Sequence, residues 1–331
     1  MKKISYALLM VFISLALITS FAACNKLKLS NLKANDHFKK GNKLYTEEKF
    51  KKAIAEYELA LKYNPKLDVA NFYLGTSYAM VFKPGDETEK NKEYGQKAQQ
   101  YLNKALEVNP GNREVILALG DINDKMRNFE EAEKYYQMVL ESSPNDPKVY
   151  YVLADFYSGY GKFDQAIEMF QRRIALSPSD PEGYYYLANF LQNKKQWDKA
   201  IENHDLRIKY IAESNLDEKV KNQSLAEAYY TLGVVCWNKS YQTPPDVMGP
   251  AERNAVIQKG FEALNKATDL IPTYPEPWAY KNLLYRELAK AEPLRVDEYT
   301  KKADEMSAKF TELRKRKLAT EEFIKGLEKE K

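Results

Sequence analysis

The strongest constraint in this chain is a recurrence: Ala98, Ala132, Ala166 and Ala200 follow one another at intervals of 34 residues, with Ala53 before them and Gly260 after them in the same slot. A second, shorter spacing is nested inside the first. Ala53 is followed by Tyr57, Ala60 and Pro65, Ala132 by Tyr136, Val139 and Pro144, and Ala166 by Phe170, Arg173 and Pro178. Steps of three and four keep residues on one face of a helix, and the prolines end it. Phe50, Phe129, Phe163 and Trp197 each stand three residues before their alanine and mark the start of that helix. A partner helix precedes it, carrying Leu74-Gly75, Leu119-Gly120, Leu153-Ala154, Leu187-Ala188 and Leu232-Gly233. Small residues at fixed points in both helices imply that the two cross closely, with Leu and aromatics filling the gaps around the crossing. The composition agrees, since 25 tyrosines, only 13 glycines and 30% charged residues suit long helices better than a turn-rich β fold.

A helical spacing inside a 34-residue period, with an aromatic, Leu-Gly, Tyr, then Ala, an aromatic and Pro, resembles the tetratricopeptide repeat family. The resemblance implies an all-α, right-handed superhelical solenoid of about seven helix-turn-helix repeats, starting near residues 34, 68, 113, 147, 181, 226 and 275, with a C-terminal capping helix. No repeat of this kind buries its apolar face alone, so neighbours must stack. The connections carry their own punctuation. In Pro144-Asn145-Asp146-Pro147 and Pro178-Ser179-Asp180-Pro181 the first proline stops one helix, the aspartate caps the next and the second proline opens it. The pattern is interrupted by 11 extra residues between Tyr78 and Ala98, by 15 between Cys236 and Gly260, and by a spacer of about 11 after Ala212, which stands where proline is due. Insertions between the two helices of a repeat emerge on one edge of a solenoid, either as a second contact surface or as tolerated loops. Residues 308–331, with Arg314-Lys315-Arg316-Lys317 among glutamates, read as the charged terminal helix.

The first residues read as an address. Lys2 and Lys3 precede an apolar run from Ile4 to Phe21, then Ala22, Ala23 and Cys24. Phe21-Ala22-Ala23-Cys24 resembles the bacterial lipoprotein box, although Phe21 replaces the usual leucine. That resemblance implies a signal peptide over 1–23, lipidation of Cys24, a short tether over 24–33 and the solenoid over 34–307. Asn25, not aspartate, follows the cysteine, which favours the periplasmic face of the outer membrane. The alternative is an uncleaved membrane anchor.

In this family the first helix of each repeat lines a concave groove. The residues expected to face it are Phe38, Phe72, Tyr151, Tyr185 and Tyr230, an aromatic stripe, and Asn42, Thr76, Asp121, Asp155 and Asn189, a polar row directly after the Gly or Ala slot. Carboxamides there can bond both N–H and C=O of an extended peptide, and the acidic middle of the row, with Glu114 and Asp124, favours a basic or neutral segment. Packing between neighbouring helices explains the aromatics equally well. No phosphate-cradling glycine loop, paired-cysteine spacing or nucleophile elbow is present, so the expectation is no enzyme, no metal and no cofactor. His37, His204 and Cys236 fall in aromatic slots and are read as packing residues. The net charge of +4, which falls to +2 once Lys2 and Lys3 are set aside, offers nucleic acid nothing in bulk. Two readings follow: a membrane-anchored scaffold binding a peptide or protein segment in its groove, or an assembly factor for an envelope complex such as a pilus, secretion ring or outer-membrane barrel, acting through edge loops or the convex side. Oligomeric state is left open.

Overall fold

The structure, a computed structural model, describes residues 28–329; the segment read as a signal peptide and Cys24 lie outside the described residues. The described residues are helical throughout apart from turns and one 3₁₀ turn. They divide into two compact units, one ending at Tyr160 and the other starting at Gly161.

The first unit contains α1 (28–46), α2 (Phe50–Tyr63), α3 (Val69–Val81), α4 (Glu89–Val108), α5 (Arg113–Lys125), α6 (Phe129–Ser142) and α7 (Pro147–Gly159). Within this unit α2 packs on α3, α3 on α4, α4 on α5, α5 on α6 and α6 on α7. The alanine slot explains this order. Ala53, Ala98 and Ala132 are fully buried, and so are Leu74 and Leu119 on the partner helices. The glycines after those leucines sit where no side chain fits. A Cβ at Gly120 would lie 2.6 Å from the ring of Tyr136, and one at Gly41 2.6 Å from the ring of Tyr57. Burial of a tyrosine or leucine side chain against bare backbone is the apolar contact these helix pairs contribute.

The second unit contains α8 (Phe163–Leu176), α9 (Pro181–Asn193), α10 (Trp197–Glu213), α11 (Glu218–Gln242), α12 (Pro250–Leu270), α13 (Glu276–Ala291) and α14 (Val296–Lys329), with a 3₁₀ turn over Pro293–Arg295. The same slot is filled by fully buried Ala166 and Ala200, and a Cβ at Gly233 would lie 2.5 Å from Leu264. One member of the series departs from apolar chemistry. His204, four residues after Ala200, takes the place that Tyr57 and Tyr136 hold in the first unit; it is fully buried and neither ring nitrogen has a hydrogen-bond partner among the described residues.

The predicted punctuation is realised. Asp146 and Asp180 accept hydrogen bonds from the Lys148 and Glu182 backbone N–H groups, with Pro147 and Pro181 in the first turn. Each aspartate also receives an arginine, Arg113 and Arg173 respectively. Tyr150 and Tyr184 donate to the carbonyls of Pro144 and Pro178, both at 2.8 Å, which ties the first helix to the turn that launches it. Phe50, Phe129, Phe163 and Trp197 are the first residues of α2, α6, α8 and α10. Two residues before each of them the backbone turns left-handed, at Glu48, Arg127, Gly161 and Lys195. Only Gly161 adopts that conformation without the side-chain clash that L-residues meet there.

Several boundaries differ from the sequence expectation. Residues 28–33, read as part of a tether, are helical, and the Ser30 hydroxyl donates to the Tyr63 carbonyl at 2.5 Å. The spacer after Ala212 is largely helix: α10 runs through Ala212 to Glu213, because alanine does not stop a helix as proline would, and α11 starts at Glu218 instead of near residue 226. The extra residues after Tyr78 and Cys236 also become helix, lengthening α4, α11 and α12 and leaving loops of only 82–88 and 243–249. The charged segment from 308 is the continuation of α14 and not a separate helix.

Burial of His204 has a consequence for stability. It holds the imidazole far below its usual value of 6.5, at about 3, so the folded chain keeps the ring neutral while the unfolded chain protonates it below 6.5. The unfolded state then binds more protons, and stability falls as pH drops from about 6.5 toward 3, by up to ~1.4 kcal/mol per pH unit. His204→Phe is expected to raise stability at pH 7 by about 1 kcal/mol or more, since it removes unsatisfied buried nitrogens. It is also expected to flatten this slope. Urea unfolding at pH 5 and pH 7 of both proteins checks this.

Candidate partner-binding surfaces

The first helices carry the polar row, and in the first unit part of that row is already engaged. Asn42 Oδ1 accepts the hydroxyl of Tyr57 at 2.8 Å, and Asp121 Oδ1 accepts that of Tyr136 at 2.8 Å. The residue after the glycine thus receives the tip of the ring that packs on the glycine. This is a packing reason for a polar residue in that slot, which sequence reasoning had not found. Burial is the main cause that raises the Tyr136 hydroxyl pKa, with the Asp121 carboxylate adding to it, so the phenol remains a donor. The Thr76 hydroxyl is spent on its own helix, donating to the Phe72 and Tyr73 carbonyls at 3.0 and 3.1 Å.

The aromatic stripe is half-buried. In the first unit Phe38 packs on Tyr57 and Tyr73 with centroids 5.8 and 5.7 Å apart, Phe72 meets Tyr73 edge-on at 5.3 Å, and Tyr151 is half-buried. Asp155 is exposed, and with Asp121 it stands close enough to Asp124 to oppose its ionisation. Burial is the larger cause that raises the Asp124 carboxyl, and Tyr160 and Arg127 counter it. In the second unit Tyr185 lies under the Arg207 guanidinium at 4.4 Å and edge-on to Tyr186, while Tyr230 meets Tyr274 and Tyr280 edge-on at 5.4 and 5.6 Å. Asn189 is half-buried, and His204, which holds the tyrosine slot across from it, makes no hydrogen bond among the described residues.

The second surface is the hairpin tip made by α11 and α12. Its support is charged and buried. Lys239, nearly inaccessible, bridges Asp198 at 2.6 Å on α10 and Glu252 at 2.9 Å on α12. Arg253 donates to the Ser240 carbonyl and to the Thr243 carbonyl at 2.7 Å, closing the 243–249 loop, and Met248 is buried beneath it. What the tip presents outward is apolar: Tyr241 is 56% and Val247 70% exposed, beside exposed Pro244 and Pro245. A cleft of about 530 Å³ opens there, walled by Tyr241, Pro244, Pro245, Met248, Glu287 and Lys290. The corresponding loop of the first unit, 82–88, is equally well latched, with the Asn91 amide donating to the Lys83 and Asp86 carbonyls at 2.8 Å. Its exposed residues are Lys83, Pro84, Gly85, Glu87 and Thr88, so it offers little apolar anchor. Lys239 and Arg253 were not singled out from sequence, and the signal that could have marked them is two cations flanking an unusually long insertion.

His37 Nδ1 lies 2.7 Å from Glu56 Oε2 with its ring stacked on Tyr63. Cys236 is buried, and burial pushes its thiol up to about 12. Among the described residues no group of three or more His, Cys, Asp and Glu could hold a metal ion, and no helix is long and apolar enough to cross a membrane.

Models of the tetratricopeptide repeat match residues 95–156 and 147–190. No curated protein matches the chain. Among solved structures, a MamA crystal structure is 22% identical, covering 51% of this chain and 93% of its own, with a TM-score of 0.40. MamA 41-end from Desulfovibrio magneticus RS-1 is 17% identical over 56% of this chain and 98% of its own, with a TM-score of 0.42. Pseudomonas aeruginosa pilF is 17% identical over 75% of this chain and 96% of its own, with a TM-score of 0.41.

The Tyr136 to Asp121 bond is charge-assisted but open to solvent on the carboxylate side. Tyr136→Phe and Asp121→Ala are each expected to cost about 1 kcal/mol, and the double variant less than their sum, with a coupling of about 1 kcal/mol. A double-mutant cycle by denaturant unfolding measures it.

Proposed function

We propose that this chain is a non-enzymatic docking scaffold of the bacterial cell envelope, an assembly factor that engages a protein partner chiefly through the α11–α12 hairpin. The observation that carries this reading is an exposed apolar tip on a rigid base: Tyr241, Val247, Pro244 and Pro245 stand outward over the Lys239 and Arg253 networks. Exposed aromatics on a preorganised platform make effective anchors, because little conformational freedom remains to be lost on binding. Two carboxylate and two carbonyl contacts hold this insertion in place. The Phe21-Ala22-Ala23-Cys24 motif supports the envelope setting, with lipid on Cys24 tethering the chain to the periplasmic face of the outer membrane. Several acyl chains on one residue give firm anchoring where a single chain does not.

Groove binding remains the second reading, and exposed Asp155 and half-buried Asn189 favour it, since neither is held by a tyrosine as Asp121 and Asn42 are. The acidic character around Asp121, Asp124 and Asp155 would select a basic segment. A photo-crosslinking residue placed in cells at Val247 or at Asn189 separates the two. The hairpin reading predicts one dominant high-mass adduct from position 247 and, at most, weak adducts from 189. Adducts from 189 alone would transfer the partner to the groove.

A further inference from the structure

The leucine that anchors each first helix is Leu74, Leu119, Leu153, Leu187 and Leu232 in turn, and every one is buried. In α13 the same slot, three residues after Trp278 and four before Tyr285, holds Lys281. It is as buried as the leucines, at 5% exposed. A lysine also holds this slot at the other end of the chain, but Lys40 is exposed and paired with Asp36 at 2.7 Å. Lys281 has no such partner. Its ammonium donates to Thr268 Oγ1 at 2.8 Å, and Thr268 in turn donates to the Leu264 and Asn265 carbonyls of its own helix. The Trp278 ring lies 4.3 Å from Nζ. No carboxylate among the described residues forms an ion pair with it. Asp269 attracts it only at longer range, and burial lowers its pKa from 10.5 to about 8. Keeping a cation in a leucine slot without an ion-pair partner is unfavourable where an apolar residue would carry no desolvation penalty.

Lys281 lines a cleft of about 910 Å³ between α12, α13 and α14, walled by Phe261, Trp278, Tyr285, Tyr299 and Met306. Arg295 and Lys302 also line it, but both are committed to Glu298, at 2.9 and 2.6 Å. With Glu292 also 3.2 Å from Arg295, the two rim cations are balanced by two carboxylates, whereas Lys281 has no ion pair and Asp269, which lines the same cleft, acts on it only at longer range. An ammonium has three N–H donors, of which one is used on Thr268. The two ammonium donors left over, at the base of an aromatic-walled cleft, suit two oxygens carrying one negative charge. A dianion would call for free cations that Glu298 has taken.

We propose that this cleft is a binding site for a carboxylate on an apolar or aromatic body, with Lys281 as its counter-ion. The carboxylate arrives either as a free organic acid or as an acidic side chain of a bound polypeptide. The site is independent of the α11–α12 tip, so its test does not depend on that assignment. Calorimetric titration of the full chain with phenylacetate and with the blocked dipeptide acetyl-Phe-Glu-amide covers the two sources, and the tighter ligand identifies which applies. Phenylacetamide and acetyl-Phe-Gln-amide are the neutral controls, and inorganic phosphate is the dianion. The expected result is binding of at least one acid, with its neutral control and phosphate weaker by about tenfold or more. Lys281→Met should lose that binding by a similar factor while raising the unfolding midpoint by about 2–4 °C or more, and Lys281→Arg should retain it. Absence of binding by both acids, equal binding of a neutral control or of phosphate, or a Lys281→Met protein that is less stable and still binds would each overturn the proposal.

Discussion

Everything in this molecule follows from how closely two helices approach at one point. Where Gly41 and Gly120 meet the rings of Tyr57 and Tyr136, or Gly233 meets Leu264, there is no room for a single added carbon. Such an approach brings a large side chain flat against backbone and so gains apolar contact from a short element. It also fixes which residues come next. The side chain at the crossing can be Tyr57, Leu102, Phe170, His204 or Leu264, but the slots four residues earlier remain Ala53, Ala98, Ala166, Ala200 and Gly260. The small residues are thus the frame, and the large ones are variable within it.

That frame was readable from residue types alone because it is local and periodic. The alanines, the aromatic residues that open the second helices, and the Asp-Pro turns all act within one or two helical turns of themselves. Asp146 caps α7 and Phe129 opens α6 as their spacing requires. What escaped sequence reasoning depends on partners across the pair. Asn42 and Asp121 look like a surface row until the rings at 57 and 136 are placed opposite them. The insertions look like loops because they break the period, yet with alanine at 212 and prolines confined to 84, 244, 245 and 250 nothing stops the flanking helices from lengthening. Likewise Lys281 is unremarkable as one lysine among many until the repeat register places it where leucine belongs.

Two kinds of departure from the apolar rule have different meanings. His204 is a neutral, unbonded ring in an aromatic slot, and it lowers stability without giving the surface anything. Lys281 and the Lys239 bridge place charge under a cleft or under a projecting tip. Both of the latter lie in the second unit.

The close crossing is tested most directly by filling it. Ala200 is fully buried where α10 crosses α9. Guanidinium unfolding of Ala200→Leu, followed by circular dichroism, is predicted to show a loss of about 2–3 kcal/mol from overpacking against a backbone that has no free space to yield. An unchanged or higher midpoint would mean that the helices are held apart at this point, and the packing frame derived from the 34-residue recurrence would be wrong.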